Sequence, residues 1–173
     1  SSPARADPAT AAALPLPCAL HITLQICDAV GEAHAQGIVH RDLKPENVML
    51  VRRGDDPDYV KVLDFGIAKK DEKHSKHEQK LTQQGTVLGT PPYMSPEQFK
   101  GHDLDARSDI YSLGIMTYEM LTGERPYHAQ TAQELLDMHV DAPVPTLPAN
   151  LARLQPILDK MMEVLPEART EMS

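Results

Sequence analysis

The chain has 173 residues, 41% of them hydrophobic and 24% charged, and its 25 Asp and Glu against 17 Lys and Arg give a formal net charge of −8. This length and composition are typical of one globular domain. Nucleic acids and anionic membranes are bound through clustered lysine and arginine, so the acidic balance argues against either as the main partner. No run approaches the roughly 18 apolar residues of a membrane span, so none is expected.

The chain opens with residues 1–17, which are rich in Ala, Pro and Ser and predict a flexible lead-in or a linker. From Cys18 to Gln36 the apolar residues recur at helical spacing, which predicts a largely buried helix that Gly37 ends. Cys18 and Cys27 would lie roughly 13 Å apart along this helix, too far for a disulfide. We expect two buried thiols in a reducing compartment, the cytoplasm.

Two short β-like runs follow, at Val48–Val51 and Tyr59–Leu63, and the Gly and Pro between them suit a turn. The polar stretch Lys69–Lys80 has no apolar periodicity and predicts an exposed loop. Ile110–Leu121 is apolar nearly all round, so it is expected at the centre of the core.

Two amphipathic helices are predicted after this central helix, at Thr131–Val140 and Leu151–Leu165. Three prolines separate them. The order of elements therefore predicts an α+β fold that is mostly α, with one small β unit.

The segment His40–Asn47 reads His-Arg-Asp-Leu-Lys-Pro-Glu-Asn and lies in a loop between the first helix and the first strand. Asp42 can accept a proton from a hydroxyl group, and Lys44 can neutralise phosphate charge. Asn47, together with Asp64 at the end of the second strand, offers the hard oxygen ligands that Mg²⁺ takes from proteins.

These motifs resemble those of the eukaryotic-type serine/threonine protein kinases. Residues 40–47 match H-R-D-L-x-x-x-N at all five specified positions, and Asp-Phe-Gly follows at 64–66. Ser95-Pro96-Glu97 stands where the family has Ala-Pro-Glu, a departure at the first position. The resemblance runs from about Leu14 to the end, and the Ala- and Pro-rich flanks are similar to those of bacterial members.

The resemblance implies a role for each matched residue. Asp42 would be the catalytic base or orienting group for the substrate hydroxyl, and Lys44 would contact the γ-phosphate of ATP. Asn47 and Asp64 would hold Mg²⁺. Met49 would lie against the adenine ring. The substrates implied are protein Ser or Thr hydroxyls, and the lysine two residues after the Asp resembles the serine/threonine branch.

The same resemblance assigns Ile67–Met94 to the activation loop. Thr90 would hydrogen-bond the catalytic Asp and Lys. We hypothesise that a phosphate on Thr82 or Thr86 pairs with Arg41 and orders the loop, which mass spectrometry of active enzyme would refute by finding both unmodified.

Other family positions are structural. His40 and Phe65 would stack between the lobes, and Glu97 and Arg169 would form a buried ion pair. For Asp109 two interpretations stay open. It either accepts hydrogen bonds from the catalytic-loop backbone or simply caps the central helix.

The N-terminal lobe of a kinase supplies a Gly-rich loop and a Lys–Glu ion pair, and neither is found in this sequence. The first lysine is Lys44, and the only glycines before His40 are Gly31 and Gly37. We therefore expect residues 18–173 to be a C-terminal lobe, incomplete at both ends and without an N-lobe. Taken alone, the chain should have negligible affinity for Mg-ATP.

The sequence leaves three functions open. The first is a serine/threonine protein kinase that needs an N-lobe for activity. The second is a non-catalytic kinase-lobe module that binds a substrate or a partner kinase. The third, a small-molecule phosphotransferase of the kinase-like superfamily, fits the Lys44-Pro45 pair and the Ser95-Pro96-Glu97 stretch much less well.

Overall fold

A computed structural model describes residues 12–65 and 92–169 of the protein. These ranges are mostly helical, with one two-stranded antiparallel sheet, as predicted. The α-helices are α1 (Leu16–Ala35), α2 (Pro96–Phe99), α3 (Ala106–Thr122), α4 (Ala132–Asp141) and α5 (Gln155–Met161). The strands are β1 (Val48–Arg53) and β2 (Asp56–Val62), and 3₁₀ turns cover Pro45–Asn47, Ala149–Leu154 and Pro166–Ala168. No helix in the described ranges has the length and hydropathy to cross a bilayer.

Helix α3 is the centre of the core, as its all-round apolar sequence predicts. The Asp105 carboxylate accepts a hydrogen bond from the Arg107 backbone N–H (2.8 Å) and caps its start. Gly123, in the left-handed conformation at φ 79°, ends it. The residues from Ser108 to Tyr118 are all buried, which requires neighbours on every side of the helix.

Helix α1 packs along α3. It begins at Leu16, two residues before the predicted start, and the Leu14 N–H donates to the Met120 carbonyl (2.8 Å). The last residues of the expected linker therefore lie against α3. The core shared by the two helices and the sheet comprises Ile22, Ile26, Val30, Leu43, Val60, Leu113 and Met116.

The two cysteines are free thiols, as predicted, but they are half-buried rather than buried. Cys27 lies at the edge of the α1–α3 core, where burial raises the pKa of its thiol.

The hairpin is longer than the sequence predicts, because both strands extend into the expected turn. Val48 lies opposite Val62, and the hairpin reverses around Gly54 at φ 60°. On the α1 side, the Gln25 side chain accepts from the Val60 N–H and donates to the Asp58 carbonyl, both at 3.0 Å. The Gln25 amide thus satisfies backbone groups of β2 that no strand in the described ranges pairs with, and it holds the hairpin against α1.

The predicted helix Leu151–Leu165 is wrong in its extent. A 3₁₀ turn covers Ala149–Leu154, and α5 begins only at Gln155 and ends at Met161. Pro156 explains the break, since it has no N–H to continue a helix from the preceding turn. The end of α5 packs closely on α3, where a Cβ at Gly114 would lie 2.8 Å from Met162 Cγ.

Helix α4 matches its prediction within a residue, and its Thr131–Glu134 pair forms a capping box. Its His139 is 1% exposed and contacts the rings of Phe99, Tyr111 and Tyr127. The Tyr111 hydroxyl lies 2.6 Å from His139 Nδ1. Burial lowers the pKa of His139 to about 4.

We expect His139 to make the fold sensitive to acid. Its folded pKa of about 4 lies below the ordinary value of 6.5, so between these pH values only the unfolded chain takes up the proton. The free energy of unfolding should fall by about 2 kcal/mol from this group as pH drops from 7 to 5. Urea unfolding at both pH values measures this, and His139→Gln should lose that share of the pH dependence. An equal pH dependence in the variant would contradict it.

Candidate active site

The loop 40–47 leaves α1 and enters β1, and its Leu43 side chain is buried in the α1–α3 core. Arg41 has φ 66°, a left-handed conformation that costs a non-glycine residue about 1–2 kcal/mol. Such a residue persists only where neighbouring groups determine its conformation.

Asp109 is one of those groups. Its Oδ2 accepts from the His40 N–H (2.8 Å), its Oδ1 accepts from the Arg41 N–H (2.9 Å), and the residue is 1% exposed. The His34 ring also bonds Oδ2 at 2.7 Å through Nε2. Asp109 therefore accepts hydrogen bonds from the backbone of the loop 40–47. The alternative of a helix cap is wrong, because α3 begins three residues earlier and Asp105 caps it.

Substituting Asp109 by asparagine should loosen this loop. Asparagine offers one acceptor oxygen in place of two, so one of the two backbone N–H groups loses its partner at a cost of about 1–3 kcal/mol. We expect faster hydrogen exchange at the amides of His40 and Arg41 and a lower free energy of unfolding. Asp103→Asn, at an exposed position, is the control and should change neither. Unchanged exchange in the Asp109 variant would contradict the prediction.

His40 joins the loop to the end of β2. Its Nδ1 accepts from the Asp42 N–H (3.3 Å), which leaves the proton on Nε2 to donate to the Leu63 carbonyl (2.8 Å). The rings of His40 and Phe65 lie 4.8 Å apart between centroids, the contact that the sequence analysis expected. The segments that carry Asp42 and Asp64 are thus held by one imidazole.

Asp42, Lys44 and Asn47 lie together. Lys44 Nζ is 3.1 Å from Asp42 Oδ2, and Asn47 Nδ2 donates to the Asp42 carbonyl (2.7 Å) and to Oδ2 (3.4 Å). The Asp42 side chain is 40% exposed, so it is accessible from solvent while its backbone is fixed. A carboxylate held in this way is suited to accept or orient a hydroxyl proton.

Asn47 and Asp64 are brought together by the hairpin. The Leu63 N–H donates to the Asn47 carbonyl (2.8 Å), which places Asp64 one residue beyond that link. Because Asn47 Nδ2 donates its hydrogen bonds to Asp42, the side-chain oxygen is the atom of Asn47 that remains to bind a cation. Asp64 is exposed, in the left-handed conformation at φ 54°. An amide oxygen beside a carboxylate fits Mg²⁺, which usually takes only one or two protein ligands. Among the described residues no cluster of three or more His, Cys, Asp or Glu side chains suits a metal.

A pocket of about 360 Å³ lies against the loop 40–47. Loop residues Arg41 to Lys44 and Glu46 line one side, and Pro92 to Met94, Gln98, Ser112 and Arg125 line the other. Asp42 and Lys44 therefore both face this pocket. Met49 is 48% exposed on β1, beside the similarly exposed Leu50.

Glu97 and Arg169 form the ion pair that the sequence analysis expected. Arg169 donates to both Glu97 oxygens, at 2.6 and 2.9 Å, and both residues are buried. Burial opposes ionisation, but the hydrogen bonds from Arg169 and Ser108 overcome it and hold the pKa of Glu97 below its usual value.

Two further residues of the pocket wall are Tyr93, which the resemblance places in the turn Pro91-Pro92-Tyr93 expected to shape substrate docking, and Gln98, which was not predicted. The Tyr93 hydroxyl donates to Glu119 of α3 at 2.5 Å, and burial together with that carboxylate raises the pKa of Tyr93. The Gln98 amide donates to the Arg41 carbonyl at 2.7 Å. Only the Ser-x-x-Gln spacing from Ser95 to Gln98, which is typical of a helix capping box, signals Gln98 in the sequence.

Several predicted residues lie outside the described ranges. They include Thr90, Thr82 and Thr86 and the polar stretch Lys69–Lys80. Their predicted roles stay predictions.

Comparison with known proteins agrees with the motifs. The family model described as "Protein kinase domain" matches residues 11–173. The chain is 42% identical over 145 residues to serine/threonine-protein kinase pkn3 of Myxococcus xanthus and 41% identical over 133 residues to serine/threonine-protein kinase PknA of Mycobacterium tuberculosis. The matches cover 83% and 77% of this chain but only 26% and 29% of those relatives.

Solved structures show the same fold. The kinase domain of Mycobacterium tuberculosis PknI, crystallised as a double mutant, matches 92% of this chain and 51% of its own at 26% identity, with a TM-score of 0.63. Rad53 residues 1–466, crystallised in complex with AMP-PNP, match 92% of this chain and 38% of their own at 27% identity, with a TM-score of 0.70.

Proposed function

The chain belongs to the protein kinase family, and we propose that in its active form it transfers the γ-phosphoryl group of ATP to Ser or Thr hydroxyls of protein substrates. The observation that carries the proposal is the placement of Asp42. Its carboxylate touches Lys44 and Asn47, and its backbone is held by His40. Phosphoryl transfer asks a protein mainly for positioning and charge neutralisation, which this arrangement supplies.

Each of these side chains has a task in the proposed reaction. Asp42 orients the substrate hydroxyl and accepts its proton. Lys44, whose ammonium lies 3.1 Å from that carboxylate, neutralises charge on the transferred group. Thr90 is proposed to hydrogen-bond Asp42 and Lys44.

Asn47 and Asp64 are the residues that would hold Mg²⁺, and the bound ion would neutralise charge on the nucleotide phosphates. This chain's contribution is the link between Leu63 and Asn47, which keeps the two ligands adjacent. Met49, exposed on the neighbouring strand, is proposed to contact the adenine.

The pocket between the catalytic loop and residues 92–98 is proposed to receive the substrate polypeptide. Asp42 lines this pocket, so in the proposal a serine or threonine of the bound polypeptide approaches its carboxylate. With its free thiols, the chain is suited to the reducing cytoplasm, where we propose that it acts.

We further infer that the described fold is the C-terminal lobe of the kinase, with residues 18–173 as that domain and 1–17 as a linker. The chain spans about a quarter of the length of the curated relatives it matches. No lysine precedes Lys44, so the cation that pairs with the α- and β-phosphates is not within this sequence. The missing lysine before Lys44 is the one observation that favours the alternative function, a non-catalytic lobe that binds a substrate or partner kinase.

One experiment separates the two functions. The chain is fused behind the N-terminal half of the PknA kinase domain, which brings a Gly-rich loop and the Lys–Glu pair, and phosphate transfer to a Ser/Thr protein substrate is measured. Transfer above that of the PknA half alone supports the kinase function. A folded fusion that binds Mg-ATP and transfers nothing would refute it. The isolated chain should show no heat of Mg-ATP binding in calorimetry, and micromolar affinity would contradict that expectation.

A further inference from the structure

Gln98 links the segment after the activation loop to the backbone of the catalytic loop. We infer that Gln98 is a positioning residue, which fixes the peptide between Arg41 and Asp42 and so orients the Asp42 carboxylate. The importance of that orientation rests on the proposed kinase function, whereas the contact itself does not.

The hydrogen-bond partners of Gln98 show which end of its side-chain amide is the oxygen and which is the nitrogen. Its Oε1 accepts from the Ser95 N–H (2.9 Å) and from the Ser95 hydroxyl (3.1 Å). Its Nε2 donates to the Arg41 carbonyl at 2.7 Å. Because Oε1 receives only donors and Nε2 meets only an acceptor, the amide has one consistent orientation.

The target of this hydrogen bond is the strained residue of the loop. Arg41 has φ 66°, and its N–H is already held by Asp109. Gln98 holds its carbonyl, so the two peptide groups that flank the Arg41 Cα are each fixed by a buried or half-buried side chain. Fixing both peptides determines φ and ψ of Arg41, and with them the direction in which the next residue, Asp42, leaves the backbone.

The hydrogen bonds of Gln98 explain why a serine at position 95 differs in effect from the alanine usual in the family. Ser95 is fully buried, and its hydroxyl is one of the two donors that hold Gln98 Oε1. An alanine would keep the N–H donor and lose the hydroxyl. Ser95 and Gln98 therefore act as a pair in which the serine orients the amide and the amide orients the loop.

The simpler interpretation is that Gln98 only caps α2, since Ser95 and Gln98 also form a capping box. Gln98→Glu separates the two interpretations. A glutamate still accepts from Ser95, so the cap persists, but its carboxylate cannot donate to the Arg41 carbonyl. Gln98→Met removes both functions without adding charge, and Gln133→Glu places the same charge change on the exposed face of α4.

The test is NMR of the isotopically labelled 173-residue chain. The amide of Asp42 belongs to the same peptide group as the Arg41 carbonyl, so its ¹⁵N shift and its exchange rate report the Gln98 contact. In Gln98→Glu and in Gln98→Met we expect a displaced Asp42 resonance and about fivefold faster exchange at that amide. In Gln98→Glu the amides of Phe99 in α2 and of Lys100, which follows it, should exchange as in the wild type.

An Asp42 amide in Gln98→Glu that matches the wild type and Gln133→Glu would overturn the inference and leave only the cap. Should the glutamate variant fail to fold, Gln98→Met decides by the same readout. In the PknA fusion, Gln98→Glu should lower kcat by about fivefold with the KM for ATP unchanged, and an unchanged kcat would also overturn the inference. A wild-type fusion without activity refutes the kinase proposal, while the NMR result on Gln98 stands.

Discussion

Replacing Asp42 by asparagine in the active fusion should lower kcat by about 10³-fold. Asparagine keeps the size and the backbone contacts of the residue, but it cannot accept the proton of the substrate hydroxyl. The KM for ATP should change little, because Lys44, Asn47 and Asp64 are untouched. Steady-state kinetics with a Ser-containing substrate measures the effect.

The fold should survive this substitution. The Asp42 side chain is 40% exposed, and the surrounding loop is held through backbone groups of His40 and Arg41. Urea unfolding should give a free energy within about 0.5 kcal/mol of the wild type, as for surface substitutions. The exposed Asp103→Asn variant is the control for loss of a carboxylate and should keep full turnover. Full turnover in Asp42→Asn would remove this residue from the proposed reaction.

The largest loss of stability is expected from Arg169→Met. The variant leaves the Glu97 carboxylate in the core without its bidentate partner, and removing one member of a buried pair typically costs 3–5 kcal/mol. It also strips Glu163 and Val164 of a donor to their carbonyls, since Arg169 bonds both at 2.6 and 3.0 Å. Chemical denaturation at pH 7 should show an unfolding midpoint far below that of the wild type.

The pH dependence gives this prediction a specific signature. In the wild type the lowered pKa of Glu97 contributes stability above its ordinary value of 4.5, and that contribution is lost as pH falls. Without Arg169, burial is opposed only by the hydrogen bonds from the Ser108 hydroxyl and the backbone, so the pKa should rise and the carboxylate should protonate on mild acidification. The deficit of the variant should therefore shrink between pH 7 and pH 5. A deficit that is constant over this range would show that the guanidinium acts through packing.

A double variant supplies the control. Glu97→Gln together with Arg169→Met removes both charges and should recover part of the loss, because no uncompensated carboxylate remains. Its stability should lie above that of Arg169→Met at pH 7. If the two losses simply added, the pair would not be coupled, contrary to the 2.6 Å contact.

The local elements were predictable to the extent that local rules decide them. Apolar periodicity placed α1, α3 and α4 within a few residues of their observed bounds, because burying one face of a helix is a property of neighbouring residues. The same rule failed at Leu151–Leu165, where it counted apolar spacing and overlooked Pro156. Backbone chemistry took precedence over side-chain pattern there.

For the site, the sequence by itself determined which residues are candidates for the chemistry. Asp42, Lys44 and Asn47 lie within six residues, so their proximity in one loop follows from chain connectivity. Asp64 is also near because a tight hairpin returns the chain to Asn47. The sequence therefore identified Asp42, Lys44 and Asn47, which contact one another within one loop.

Only the tertiary structure decided how that loop is held. Asp109 and Gln98 meet Arg41 from 68 and 57 residues away, and Arg169 meets Glu97 from 72 residues away. A carboxylate in the first turn of a helix looks the same in sequence whether it caps its own helix or accepts from a distant backbone. The packing of α1 against α3 decides between these two roles for Asp109, because it places the Arg41 N–H within reach of the buried carboxylate.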